Sequence, residues 1–481
     1  MLPSHSLTSR LTRRGFLVSP LASIIANASA RTTEFRFHHD HVLGTSLDLV
    51  LYAKSGRETD ANAAHAAVFD EIARLSKILS TYDRTSEISR LNARGVTGAC
   101  SRDLSQVLGA YDVWRRRTGG AISARIGDMV EAWKRAEQLQ RLPDAIPTTS
   151  QRSGHLNLDA LGKAYIADRA VDAALRAAPD ITGLLLNIGG DILVRGTTSQ
   201  PIGVADPMAR ADNARVVAEV RLTDRAIATS GTYERGYRVG GRYFSHLLDP
   251  RTGLPAAGAS SATVIAADSV TANALATALC VLTAEESLDL VDATPGAAAI
   301  FVNPDGTVVR SRRFADYEAP ARMRRVQAAT NWQPGYELSV TLTLKEIQGF
   351  RVHRPYVAVW AEDLSGKLIR NIAVWANKPR WMPELHSWWS RNSGPRDLFS
   401  ITKPTRSPGR YRILWDGLDD HGHPAPSGSY RIIVETNREH GDYAKENGVI
   451  DCGGKPARIT LKGTGEFEEI VVEYGPRSQA L

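Results

Sequence analysis

The pattern of the chain changes at about residue 332, and this change limits the fold more than any other feature. Between about 42 and 320, β-rich runs such as 47–53 alternate with stretches of helical spacing such as 61–79. From 332 onwards helical periodicity fades, and seven of the nine tryptophans lie among short β-rich runs separated by Gly, Pro and Asp turns. The sequence therefore predicts an α+β domain over 42–320 and an all-β, sandwich-like domain over 332–476, joined by a linker at 321–331.

The N-terminus has the pattern of an export signal. Arg13 and Arg14 are adjacent, an apolar stretch follows at 16–28, and small residues at 28–30 offer a cleavage site. The apolar stretch includes a proline and is too short to span a hydrocarbon core of about 30 Å. We therefore expect a twin-arginine signal peptide over 1–30. The mature protein is then periplasmic and not membrane-spanning, and it would be membrane-associated only through partners.

Composition excludes several other classes. The net charge of +7 comes mainly from scattered arginines, and the loose cluster of six between 310 and 325 lacks interleaved aromatic residues or a recognition motif. This pattern is typical of a solvated surface, and we expect no binding of nucleic acid. Three dispersed cysteines cannot form a disulfide framework, and Cys280 lies in an apolar helical pattern that predicts a core position.

Two stretches about twenty residues apart carry the main chemical candidates. Asn273 and Thr277 lie four residues apart in a helical pattern, so their side-chain oxygens share one face and could hold a small cation. The residue best placed to hold it is an amide rather than a carboxylate. His246, in the polar stretch 245–253, could transfer a proton, although a buried structural histidine would fit the same pattern.

Three further strings are weaker candidates. Ser230 and Gly231, within 228–233, could contact phosphates, but a plain turn uses the same residues. The glycine-rich turn at 187–191 would let a backbone approach a ligand closely. The histidine-rich run at 38–41 resembles a metal site, yet it opens a strand beside the cleavage site, which favours an incidental cluster.

Taken in order, the short motifs form a series. They are LGT at 43–45, LSTY at 79–82 with SEISRLN at 86–92, LDALGKAY at 158–165, LNIGGD at 186–191, TSG at 229–231, SHLLDPRTG at 245–253 and ANALATAL at 272–279. This series resembles the FAD:protein FMN transferase (ApbE) family over about 42–300, which implies its T-fold-type α+β domain. The region from 332, through RPYVAVW at 354–360 and Trp381, resembles a tryptophan-rich periplasmic domain of unknown function that is sometimes fused to such transferases.

The resemblance implies a reaction. Members of the family cleave the pyrophosphate of FAD, their substrate, release AMP and place FMN on a threonine or serine hydroxyl of a partner protein. It therefore implies an FMN-acceptor protein of an exported or membrane-bound redox system. It also implies Mg²⁺ as cofactor, because phosphoryl transfer depends on positioning and on neutralising charge on phosphate oxygens. His246 is implied to manage the proton of the acceptor hydroxyl.

The resemblance also assigns binding residues. The metal positions fall on the main-chain carbonyl of Ala160 and on the side chains of Asn273 and Thr277. The flavin positions fall on Leu43, Tyr82, Ala121, Ile122, Ser123, Asn157, Lys163, Ser230, Gly231 and Leu247.

Three departures from the family pattern concern charge. Asn273 stands where the family has a carboxylate, Asn157 stands at another acidic position with Asp159 nearby, and Ser123 ends a turn that is acidic in the family. A neutral amide attracts a hard cation less than a carboxylate does. Two hypotheses follow: a working but slowed flavin transferase, and a catalytically silent flavin-binding or partner-docking module.

Overall fold

The computed structural model describes residues 32–476, with several gaps. The gaps are 95–99, 144–145, 147–154, 209–210, 212, 214–215, 234, 320–331, 334, 346–354, 377–378, 393–401, 404–408 and 439–440. The export signal predicted over 1–30 and the linker predicted over 321–331 lie outside the described residues. No helix in the described part of the chain combines the length and apolarity needed to cross a membrane.

The first half of the chain alternates strands and helices. Its elements are β1 (Thr32–Val42), β2 (Thr45–Lys54), α1 (Glu58–Leu79), α2 (Glu87–Arg94), α3 (Arg102–Arg117), α4 (Gly127–Leu139), α5 (Gly162–Ala177), β3 (Gly183–Ile188), β4 (Asp191–Gly196), β5 (Gln200–Ala205), β6 (Val216–Leu222), β7 (Ala226–Gly231), β8 (Gly236–Val239), β9 (Arg242–Ser245), β10 (Ser261–Ala266), α6 (Ser269–Leu279), α7 (Ala284–Asp292), β11 (Ala298–Val302) and β12 (Val308–Arg310).

Eight of these strands form one sheet in the order β1-β2-β3-β4-β7-β10-β11-β12, and every neighbouring pair is antiparallel. Helices α1, α5 and α6 pack against one face, where Val264 joins the main core. The hairpin of β5 and β6 covers part of the other face, where Ile265 packs with Val220 and Phe314. Strand β10 is therefore covered on both faces, which explains why all six of its residues are buried.

Helix α6 lies close to the sheet because its buried side chains are small. The side chain of Asp268 caps its N-terminus by accepting a hydrogen bond of 2.7 Å from the Thr271 N–H. Alanines at 272, 274, 276 and 278 are fully buried, so the helix can approach its neighbours on most sides. This packing leaves few directions for the two polar side chains in the middle of the helix, and it fixes where they point.

The second half is mainly β. Its elements are β13 (Tyr336–Leu344), β14 (Tyr356–Glu362), β15 (Leu368–Trp375), α8 (His386–Asn392), β16 (Thr402–Lys403), β17 (Gly409–Trp415), β18 (Ser429–Asn437), β19 (Ala444–Asp451), β20 (Ala457–Leu461) and β21 (Phe467–Pro476).

Two sheets, β17-β13-β21-β20 and β16-β15-β14-β18-β19, share one core, as the sandwich prediction requires. Trp332, Trp375 and Trp415 lie in this core, and the first and last of these rings meet edge to face with centroids 4.8 Å apart. Trp360, on the outer face of the five-stranded sheet, packs with Trp388, on α8, in a second cluster. These five tryptophans are almost completely buried, so they act as core residues rather than as a docking surface.

Asn213 connects the two halves. It lies between β5 and β6, and its amide donates hydrogen bonds to the carbonyl oxygens of Ile372 (3.2 Å) and Leu414 (2.6 Å). Its oxygen accepts a hydrogen bond of 2.7 Å from the Leu414 N–H. One side chain of the first half thus pairs with β15 and β17, which belong to different sheets of the second.

The two runs predicted as strand and helix are confirmed, because 47–53 lies in β2 and 61–79 lies in α1. Helix α8 interrupts the all-β half and was not predicted. The histidine run at 38–41 lies at the end of β1 rather than opening a strand, because β1 begins at Thr32. Cys280 is buried as expected, although it caps the C-terminus of α6 instead of lying within the helix.

Candidate functional site

The centre of the candidate site is a contact between α5, β4 and α6. Lys163, in the first turn of α5, places its Nζ 2.6 Å from Oδ2 of Asp191, the first residue of β4. The amide of Asn273, on α6, donates a hydrogen bond of 3.1 Å to the Ser269 carbonyl. Burial raises the pKa of Asp191, and Lys163 and Asn273 act against this increase.

A tight turn brings Asp191 into this position. Gly189 has φ +60°, and a Cβ on it would lie 2.6 Å from the Thr45 hydroxyl oxygen. Only glycine fits such a conformation and such a close approach. The Asn187 side chain accepts a hydrogen bond of 2.9 Å from the Gly190 N–H and closes the turn. The glycine-rich string at 187–191 therefore presses the β3–β4 turn against β2 and directs the carboxylate inwards.

Thr277 extends the cluster by one helical turn. Its hydroxyl oxygen lies 3.3 Å from that of Ser230, near the end of β7, so the two hydroxyls share a hydrogen bond. Gly231 follows, and a Cβ there would lie 2.8 Å from the ring of Tyr233. The structure thus brings Ser230 to the helix face that carries Asn273 and Thr277.

The turn before α5 forms a second polar group. Asn157 donates a hydrogen bond of 3.0 Å to the Asp159 carboxylate and accepts one of 2.9 Å from the Asp159 N–H. The Tyr82 hydroxyl lies 3.4 Å from the same carboxylate, whose charge raises the pKa of Tyr82. Tyr82 is 81% exposed, so its ring offers an open face for stacking on a flat ligand. Asp159 therefore provides a carboxylate beside Asn157, at the position where the family has an acid.

His246 is held by the main chain. Its Nδ1 lies 2.8 Å from the carbonyl oxygen of Arg235, which also accepts a hydrogen bond from the His246 N–H. Because a carbonyl only accepts, Nδ1 must carry the proton, and the lone pair of the neutral ring is on Nε2. The charge of Arg235 acts to lower the pKa values of both Asp191 and Tyr82. Arg235 therefore electrostatically links the segment that holds His246 to both polar groups.

The loop at 245–253 is built on Asp249 and Trp133. The Asp249 carbonyl accepts hydrogen bonds from the N–H groups of Thr252 (3.2 Å) and Gly253 (2.7 Å), and the Trp133 indole donates one of 2.9 Å to the Gly253 carbonyl. Within the loop, the Leu247 N–H donates to the Ser245 hydroxyl, 3.1 Å away. The loop is thereby fixed to α4 while the ring of His246 stays only partly buried.

The predicted flavin turn at 121–123 is joined to this network through its neighbour Ala124, whose carbonyl accepts a hydrogen bond of 2.7 Å from the Asn157 N–H. Ala121, Ile122 and Ser123 are 1%, 2% and 5% exposed, so their side chains belong to the core and only their main chain could meet a ligand. A Cβ on the preceding Gly120 would lie 3.4 Å from the Arg251 side chain, which places this turn beside the 245–253 loop. Leu43, with φ +51°, is partly buried in the turn between β1 and β2.

The donors at this site suit a hard cation. In the described part of the chain, no three or more His, Cys, Asp or Glu side chains are arranged to hold a metal. The oxygens of Ala160, Asn273 and Thr277 are of the type that Mg²⁺ accepts, and Asp191 is a carboxylate in contact with one of them. The residues present therefore fit Mg²⁺, with the negative charge located on β4 rather than on α6.

Sequence reasoning missed two residues of this network and one that supports it. Asp191 ends the glycine-rich turn at 187–191, but no local pattern predicts that it lies beside α5 and α6. Arg235 lies in an unremarkable segment before β8. Asp168, on α5, accepts hydrogen bonds from the N–H groups of Ser269 (2.9 Å) and Val270 (3.2 Å), and so joins α5 to the start of α6. All three act through contacts between distant segments.

Comparison with known proteins gives a consistent result for the first half. The chain is 28% identical over 347 residues to the FAD:protein FMN transferase of Treponema pallidum, covering 63% of this chain and 94% of that protein. It is 26% identical over 308 residues to the enzyme of the same name from Klebsiella pneumoniae, covering 59% and 92%. The crystal structure of the ApbE protein from Thermotoga maritima matches with a TM-score of 0.50 and 27% identity, over 60% of this chain and all of that one.

Two family models match the chain. One, described as a predicted periplasmic protein (DUF2271), matches residues 337–469, which contain most of the β-sandwich. The other, the ApbE family, matches residues 43–301, more than half of the chain and the whole of the site just described. The chain therefore belongs to the ApbE family, and it carries a C-terminal DUF2271 domain.

Proposed function

We propose that this protein is a Mg²⁺-dependent FAD:protein FMN transferase. It would move FMN from FAD to a threonine or serine of an exported redox protein and release AMP. Membership of the ApbE family and the names of its relatives support this activity. The observation that carries the proposal is the hydrogen bond between His246 Nδ1 and the Arg235 carbonyl, which makes Nε2 the proton-accepting nitrogen. The charge of Arg235 in turn acts on Asp191, which is paired with Lys163.

The reaction exchanges the phosphoanhydride bond of FAD for a phosphoester bond to the acceptor. The acceptor hydroxyl oxygen attacks the phosphorus of the FMN half of FAD, and Nε2 of His246 takes the hydroxyl proton. The bond between this phosphorus and the bridging oxygen breaks, and AMP leaves with that oxygen. Bound Mg²⁺, held by Ala160, Asn273 and Thr277, would supply neutralisation of charge on the phosphate oxygens.

The remaining residues are proposed to bind FAD. The exposed ring of Tyr82 stacks on a flat part of the ligand, and Asn157 and Asp159 orient that tyrosine. Lys163 offers its charge to the pyrophosphate, and Ser230 adds a hydroxyl next to the cation site. The main chain at Leu43, 121–123, Gly231 and Leu247 completes the pocket.

The experiment is a labelling assay. Purified mature protein is incubated with FAD, Mg²⁺ and an FMN-acceptor domain, and flavin fluorescence of the acceptor is measured in a denaturing gel. We expect labelling that requires Mg²⁺ and disappears in His246→Ala. An acceptor that stays unlabelled by the natural chain, although an active ApbE relative labels it in parallel, contradicts the proposal.

A specific observation favours the second candidate, a silent flavin-binding or partner-docking module. Asn273 has no charge, and its amide nitrogen already donates a hydrogen bond to the Ser269 carbonyl. If the natural chain does not label the acceptor but Asn273→Asp does, the silent module is the correct description and the cation argument stands. Full labelling by the natural chain excludes the silent module.

The cellular setting is part of the proposal. The twin-arginine pattern at 1–30 and the DUF2271 domain, described as a predicted periplasmic protein, both support a periplasmic location. We place the transferase domain at 42–320, the linker at 321–331 and the β domain at 332–476. The acceptor would be a redox protein in the same compartment, and membrane association would come through that partner. Localisation of a tagged chain, with and without Arg13→Lys and Arg14→Lys, tests the export route.

A further inference from the structure

We infer that Asp191 is the positioning residue that supplies the negative charge of the cation site at Asn273 and Thr277. The inference rests on the proposed function, since it concerns the cation of that same site. It assigns to β4 the charge that the family pattern would place on α6. Asp191 lies beside Asn273, which is a proposed ligand of the cation, and it therefore acts through Asn273.

The first support is the cost of burying this carboxylate. Asp191 is 7% exposed, and burial is the largest influence on its pKa. Its Oδ2 lies 2.6 Å from Lys163 Nζ, yet no described residue donates a hydrogen bond of normal geometry to that oxygen. A buried carboxylate with an incompletely satisfied oxygen is unfavourable unless another positive group uses it. The position and charge of Asp191 thus suit a site that also receives a cation.

The second support is the orientation of Asn273. Its Nδ2 donates a hydrogen bond of 3.1 Å to the Ser269 carbonyl, and the amide also acts to lower the pKa of Asp191. Because a carbonyl only accepts, the bond to Ser269 fixes which end of the amide is the nitrogen, and Oδ1 is the end that remains for a cation. A carboxylate at position 191 selects this orientation because it can accept from the nitrogen but cannot donate to the oxygen.

The third support is the geometry of the β3–β4 turn. Gly189 and Gly190 have φ values of +60° and +97°, and they place Asp191 at the first position of β4. This backbone is costly for other residues and fixes the carboxylate between α5 and α6. Lys163 and Asn273 then contact one carboxylate from two different helices, which makes Asp191 the charge shared by both groups.

The experiment measures Mn²⁺ binding rather than FMN transfer. Mn²⁺ is titrated into the mature full-length chain with saturating FAD and no acceptor, and free Mn²⁺ is followed by electron paramagnetic resonance. Four variants are compared with the natural chain: Asp191→Asn, Asn273→Asp, the double variant Asp191→Asn/Asn273→Asp, and the control Asp103→Asn. Asp103, on α3, is the control because it is also an ion-paired carboxylate, but its partners are Arg74 (2.8 Å) and Tyr165 rather than a proposed ligand of the cation.

We expect Asp191→Asn to weaken Mn²⁺ binding by about 10–100-fold, the range found when partners of metal ligands are removed. The double variant returns the carboxylate to α6 and is expected to recover most of that loss. Asp103→Asn should leave Mn²⁺ affinity unchanged. Thermal unfolding and FAD binding of each variant separate these effects from loss of the fold.

Three results would overturn the inference. They are an unchanged Mn²⁺ affinity in Asp191→Asn, a double variant as weak as Asp191→Asn although it is folded, and a natural chain that does not bind Mn²⁺ with FAD present. The labelling assay is read separately. Labelling by the natural chain with unaltered Mn²⁺ binding in Asp191→Asn refutes this inference alone. The expected Mn²⁺ pattern without any labelling refutes only the proposed function.

Discussion

Replacing Asp168 with asparagine tests how α6 is held beside α5. Asp168 is 8% exposed, and its two oxygens accept hydrogen bonds from the N–H groups of Ser269 (2.9 Å) and Val270 (3.2 Å). These bonds satisfy two of the N–H donors that the N-terminus of α6 leaves without a helical partner. They also connect the helix that carries Lys163 to the helix that carries Asn273.

The size of the effect follows from the pKa of this carboxyl group. Burial raises the pKa of Asp168 from 3.8 to about 6, against the hydrogen bond from Ser269, and the charge of Asp268 adds to the increase. Between these values the folded protein holds a proton that the unfolded chain releases. The contribution to stability is therefore complete below about pH 4 and is lost as the pH rises through about 6. A shift of about two pKa units corresponds to about 3 kcal/mol.

Asparagine has no such titration, so the difference in unfolding free energy between the natural chain and Asp168→Asn should change with pH. We expect the advantage of the natural chain to shrink by about 3 kcal/mol between about pH 4 and pH 7. Urea unfolding followed by circular dichroism measures it, because the long helices lie in this half of the chain. Asp172→Asn, on the same helix but more exposed, is the control. A difference that stays constant, or that grows as the pH rises, refutes the reasoning.

Three further changes have expected outcomes. His246→Ala should slow FMN transfer, measured by single-turnover labelling, by about 10²–10⁴-fold. FAD affinity, measured by flavin fluorescence, should be preserved, and an equal loss of FAD affinity would contradict a role in proton transfer. Trp133→Phe removes the hydrogen bond of 2.9 Å to a main-chain carbonyl, and it should lower the unfolding free energy by about 1–3 kcal/mol in urea. Gly189→Ala should lower the free energy of unfolding by at least about 1 kcal/mol more than Gly190→Ala does. Both glycines have positive φ, but only a Cβ at position 189 would lie against a neighbouring side chain. Equal losses in the two variants would contradict this.

The fold was predictable where the pattern is regular and the element is long. Helix α1 repeats buried positions at helical spacing over 22 residues, and β2 alternates apolar residues that pack on α1. The division into two classes was also visible, because β strands and buried tryptophans dominate after 332. Helices α2 and α8 were not predicted, since each is only eight or seven residues long and buries few side chains. Their positions depend on packing against other segments.

The site was predictable only where its residues are neighbours in sequence. Asn273 and Thr277 share a helix face, and this spacing alone indicated a cation site. His246 was chosen for its residue type, but its tautomer depends on Arg235, eleven residues earlier, and needed the structure. The contact of Lys163 with Asp191 joins segments 28 residues apart, through a glycine turn whose direction no local pattern specifies.

The substitution at position 273 and the burial of Asp191 are best understood together. An aspartate in place of Asn273 would lie against Asp191, and two carboxylates in contact repel each other unless a cation lies between them. The amide instead acts to lower the pKa of Asp191 and adds no second charge beside it. A cation site requires a negative charge close to the cation, and here either position 191 on β4 or position 273 on α6 could supply it. The neutral residue on α6 therefore argues for weaker cation affinity, and it does not by itself argue for a site without function.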